Sequence, residues 1–97
     1  MNFLSHLAHE KLIQPHHLRA AIWFEELPAE HPAQKRIAEQ CLSISRWTPT
    51  LDVNPLRLLK QVCIEKQPCG QKEIIIGMLR EALNACDRAM RHERFRG

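Results

Sequence analysis

The sequence predicts an all-α protein, a compact bundle of about five helices ending in a long amphipathic one, and three observations predict it. Six prolines (Pro15, Pro28, Pro32, Pro49, Pro55 and Pro68) divide the 97 residues into segments with helical periodicity. None of those segments alternates apolar and polar residues as a half-buried strand does, and β-branched residues are sparse outside Ile74–Ile76. There is no tyrosine and no Asn-Gly or Asp-Gly hairpin turn.

The first helix is expected from about Asn2, a side chain suited to capping, to near Ile13, with Leu4, Leu7, Ala8 and Leu12 forming a modest apolar stripe. Pro15 suits the first turn of the second helix, where a missing N–H costs nothing. That helix is apolar at Leu18, at 20–24 and at Leu27, an arc wider than one core requires. Such a helix is either central or offers a second face to a partner.

Pro32 opens the third helix, with Ala33, Ile37, Cys41 and Ile44 on one face, and Pro49 ends it near Trp47 by disfavouring α geometry at Thr48. Thr48 to Val53 is non-periodic. Asn54-Pro55 is the clearest helix start, a cap acceptor followed by proline at the first helical position. Leu56, Leu59, Val62 and Cys63 are the expected inward face of the fourth helix, and Gln67-Pro68-Cys69-Gly70 is the expected turn after it.

In the fifth helix Ile75, Leu79, Ala82, Cys86 and Ala89 fall on one line with spacings of four and three. Glu73, Gly77, Arg80, Asn84, Asp87, Arg88 and Arg91 lie opposite. The seam is compatible with a homodimeric coiled coil, although packing against the other helices explains it equally well. The pattern fails after about four turns, where Glu93 lands in the apolar seam and Phe95 on the polar side. The reading is therefore one helical domain over residues 1–92 and a frayed basic tail over 93–97.

Composition narrows the function. A hydrophobic fraction of 44% is ordinary for a globular domain. No apolar run reaches the length of a membrane span, so no membrane association is expected. Met1–Glu10 lacks a basic n-region and a long apolar h-region, so no signal peptide is predicted and a cytoplasmic setting is expected. Cys41, Cys63, Cys69 and Cys86 form no C-x-x-C pair and read as reduced thiols, three of them small hydrophobes on helices.

Five of the six histidines precede residue 32, but His6 and His9 on one helix face supply only half a metal site, and the rest read as surface or capping groups. No metal or cofactor is expected. The sequence has no nucleophile elbow, phosphate loop, H-E-x-x-H or paired carboxylates. Cys69 is the single candidate nucleophile and has no assignable base, so no catalytic residue is expected.

What remains is binding. Trp23 and Phe24 are adjacent and diverge by about 100° on a helix, so one core can hardly enclose both fully, the alternative being a compact five-helix domain that encloses them and Trp47. Trp47 sits at a helix end before a loop. Trp23, Phe24 and Trp47 are therefore the expected protein-binding residues of a non-enzymatic adaptor, inhibitor or regulatory subunit.

The formal charge of +3 lies wholly in residues 50–97 and is densest at Arg88, Arg91, Arg94 and Arg96. These arginines suit an acidic protein surface or nucleic-acid phosphates. The alternative reading is a nucleic-acid-binding regulator acting through them, with Arg57 and Lys60. A helix–turn–helix is disfavoured, because Ile74–Ile76 occupy the turn that would face base edges.

Overall fold

The computed structural model describes residues 3–47, 54–70 and 72–96, with the side chains of 45–47, 95 and 96 left undescribed. The expected loop Thr48–Val53 and the terminal Gly97 lie outside that set. The elements in order are α1 (Phe3–His9), α2 (Pro15–Glu26), α3 (Pro32–Trp47), α4 (Pro55–Cys63) and α5 (Glu73–Arg96), with no strand among the described residues. The Cα radius of gyration, 12.7 Å, is that of a compact globule of this length.

The helix starts follow the expected chemistry. Asn54 Oδ1 accepts from the Leu56 and Arg57 N–H groups at 2.9 and 3.3 Å, ahead of Pro55. His31 Nδ1 accepts from the Ala33 N–H at 3.0 Å and caps α3 just before Pro32. At the start of α2 the His17 ring reaches back to the Gln14 N–H at 2.9 Å.

Two helices end earlier than the sequence suggests, and for one reason. Lys11 (φ 62) and Lys66 (φ 58) adopt the left-handed conformation that usually calls for glycine. After α1 the Leu12 N–H bonds Leu7 O at 2.9 Å and the Lys11 N–H bonds Ala8 O at 3.0 Å, a Schellman closure. It stops α1 at His9 and turns Ile13 into the core, where it is buried. After α4, left-handed Lys66 sits in a wider turn in which the Gln67 N–H bonds Gln61 O at 3.0 Å, and its Nζ pairs with Glu25 of α2 at 2.6 Å.

α5 is the axis of the bundle, packed on α2, α3 and α4, while α1 covers α2 and α4. Its seam residues Leu79, Ala82, Cys86 and Ala89 are buried, with Ile76, Met78, Leu83, Ala85 and Met90 around them. The four-three seam is thus filled by the chain's own α2, α3 and α4.

α3 buries Ala33, Ile37 and Cys41 as expected, and Ile44 packs half-buried beside them. α4 buries Leu58 as well as Leu59, Val62 and Cys63, while Leu56 stays half-buried. Enclosed by four neighbouring helices, α4 hides a wider arc than its expected face.

The C-terminal end of α5 differs from expectation. The helix continues four residues beyond His92, through Arg96. Glu93 is accommodated because Arg36 of α3 reaches it with an ion pair of 2.8 Å, so a carboxylate can occupy the seam position.

Candidate docking surface on α2 and α5

α2 resolves the Trp23–Phe24 alternative by its register. His17, Ala20, Ala21 and Phe24 repeat at three- and four-residue spacing and are all buried, so this line is the inner face of α2. Phe24 is 0% exposed and is a core side chain, which corrects its assignment as a partner-binding residue. The neighbouring position, Trp23, leaves the core at an angle and is half-buried, and Ile22 is 55% exposed. The third expected aromatic, Trp47, lies outside the described side chains.

Trp23 does not stand alone. Arg19, Ile22, Trp23 and Glu26 of α2 meet Met90 and Arg94 of α5 around a shallow groove of about 280 Å³. One of the four expected arginines therefore sits beside the aromatic ring. Among the described residues Arg19 and Arg94 form no ion pair, so the groove combines apolar Ile22, Trp23 and Met90 with two unpaired cations and the Glu26 carboxylate.

The other arginines are placed differently. Arg91 pairs with Asp87 at 2.8 Å on its own helix. Arg88 lies toward α3, where its Nε donates to Gln40 Oε1 at 3.0 Å. Arg96 lies outside the described side chains. The basic stretch is thus not one phosphate-facing row.

A second, larger groove of about 720 Å³ runs between α3 and α5, with Ile44, Ile74, Gly77 and Met78 as its apolar lining and Gln40, Ser43, Glu81 and Arg88 around them. Ile74 is 52% exposed.

One polar cluster escaped the sequence reading. The Gln14 N–H donates to His17 Nδ1, so the His17 proton is on Nε2, which donates to Asn84 Oδ1 at 2.8 Å. His16 Nε2 reaches the same oxygen at 3.2 Å. Burial pushes the His17 pKa down, with the bond to Asn84 opposing it, the charges of His16 and Arg80 adding to the depression, and Asp87 opposing. The three-and-four spacing of His17 with Ala20, Ala21 and Phe24 was the available signal. Asp87, expected on the polar face, is buried and keeps its charge partnered through Arg91.

The thiols are buried or half-buried. Cys41, Cys63 and Cys86 are buried free cysteines whose pKa values burial pushes up, to about 11 for Cys41 and about 12 for Cys63. Half-buried Cys69 is raised in the same direction. High thiol pKa values mean little thiolate at neutral pH. Among the described residues no three His, Cys, Asp or Glu side chains converge as metal ligands, and no helix is long and apolar enough to cross a membrane. Comparison with known protein families, with curated proteins and with solved structures gives no match to this chain.

Proposed function

We propose that this protein is a non-enzymatic helical docking module, an adaptor, inhibitor or regulatory subunit, whose working surface is the α2–α5 face around Trp23. The observation that carries this reading is the half-buried Trp23 ring beside exposed Ile22, with Arg19 and Arg94 uncommitted at the same groove. An amphipathic aromatic beside apolar Ile22 and Met90 is the kind of side chain that dominates interface energetics. Cations at the rim add steering and orientation. The occupant that fits is a protein segment with an apolar anchor and flanking carboxylates.

The test is a comparison of the wild-type chain with W23A in binding the protein that co-purifies with it from its native host. W23A weakens binding by about ten-fold or more while helix content is retained. Unchanged binding, or loss of the fold, contradicts the reading. The nucleic-acid alternative gives another pattern: a steep fall in affinity with salt and loss on deleting Arg91–Gly97. The ion pair of Arg91 with Asp87 weighs against that alternative.

A further inference from the structure

The outer face of α5, along the rim of the α3–α5 groove, carries side chains that the described residues leave partly uncommitted. Ile74, Glu81, Arg88 and His92 are exposed along it and Gly77 is half-exposed. A Cβ added at Gly77 would meet nothing within 4 Å. A glycine inside a helix weakens that helix relative to alanine, and among the described residues no contact requires one here.

Glu81 and Arg88 are seven positions apart, about 10.5 Å along the axis and turned by only about 20°. Among the described residues Glu81 has no ion pair, and the bond from Arg88 Nε to Gln40 leaves the two terminal guanidinium nitrogens open.

We infer that this face pairs with the same face of a second copy of the chain, the two α5 helices running antiparallel about a two-fold axis midway between Glu81 and Arg88. A face with one charge of each sign becomes its own complement when turned end for end. Glu81 then lies against the partner's Arg88, and Arg88 against the partner's Glu81.

The same operation sets Gly77, which has no side chain, against the partner's His92, an exposed position. A parallel arrangement would bring Glu81 to Glu81 and Arg88 to Arg88, so charge selects the antiparallel one. The pairing surface is distinct from the Trp23 groove and does not depend on it.

Sedimentation or light scattering across a concentration series tests the pairing, with circular dichroism verifying that each variant folds. Wild type associates to a dimer. E81R alone and R88E alone each raise the dimer dissociation constant by about ten-fold or more, because each sets like charges together. An equimolar mixture of E81R and R88E forms a heterodimer, and the double variant E81R/R88E self-associates again, both within about three-fold of wild type. A wild type that stays monomeric into the millimolar range overturns the inference, as does a mixture that fails to associate or a dimer indifferent to both charge reversals. None of these results bears on W23A, so failure here is separable from failure of the Trp23 surface.

Discussion

His17 of α2 and Asn84 of α5 are joined by a hydrogen bond of 2.8 Å, and the far nitrogen of the same imidazole accepts the Gln14 N–H at the first turn of α2. One buried ring thus fixes both the start of α2 and its placement on α5. Because Trp23 lies less than two turns further along α2, this anchor also positions the proposed docking surface.

The bond pattern requires a neutral ring, since a proton on Nδ1 would face the Gln14 N–H donor. The folded-state pKa of His17 lies below the ordinary 6.5. As pH falls below about 6.5 the unfolded chain takes up the proton first, so acid favours unfolding. Stability from this site is present above pH 6.5 and is lost as pH falls through the folded-state value. Urea melts from pH 7.5 to 5 should show a falling midpoint for wild type and a flatter profile for H17Q. Equal slopes would remove His17 from the account.

Phe24 and Trp23 should separate cleanly. Phe24→Ala empties a fully enclosed site and should cost about 3–5 kcal/mol, a large part of the stability of a chain this size. Trp23→Ala removes a ring that is already half in water and should cost clearly less. Thermal melts of the two variants measure the difference. A larger loss for Trp23 would place that ring in the core.

Gly77 offers a test of an opposite sign. Its position is helical and open, so Gly77→Ala should stabilise the folded monomer by about 0.5–1 kcal/mol. Denaturant titration at a concentration low enough to keep the chain monomeric gives the value. Destabilisation would mean that the space above Gly77 is filled in the native state.

The four thiols should differ in reactivity. Cys41, Cys63 and Cys86 are buried with raised pKa values, whereas Cys69 is only half-buried in the α4–α5 connection. At pH 7.5 a maleimide should modify Cys69 first, and the other three only at the rate of global opening. Mass spectrometry of the labelled peptides reads the order.

Much of the fold was legible from residues whose effect is local. Pro32, Asn54-Pro55 and Pro15 act on their own backbone, and the α5 seam repeats often enough to declare its buried side. The ends of α1 and α4 were hidden because lysines, not glycines, take the left-handed positions at Lys11 and Lys66. The continuation of α5 past His92 depends on Arg36, which is far away in sequence.

For the docking surface, adjacency showed that Trp23 and Phe24 must diverge. The choice between them follows the register set by His17, a residue type that composition alone places at the surface. Which of the arginines would join Trp23 was not legible at all, since Arg94 reaches it only through the parallel packing of α2 along α5.

The most direct measurement of the central claim is site-specific photo-crosslinking in the native host, with a photoreactive residue at Ile22 on the proposed surface or at exposed Lys60 on α4. The docking account predicts one discrete protein adduct from position 22, abolished by W23A, and none from position 60. No adduct at position 22, or the same adducts from both positions, would contradict it.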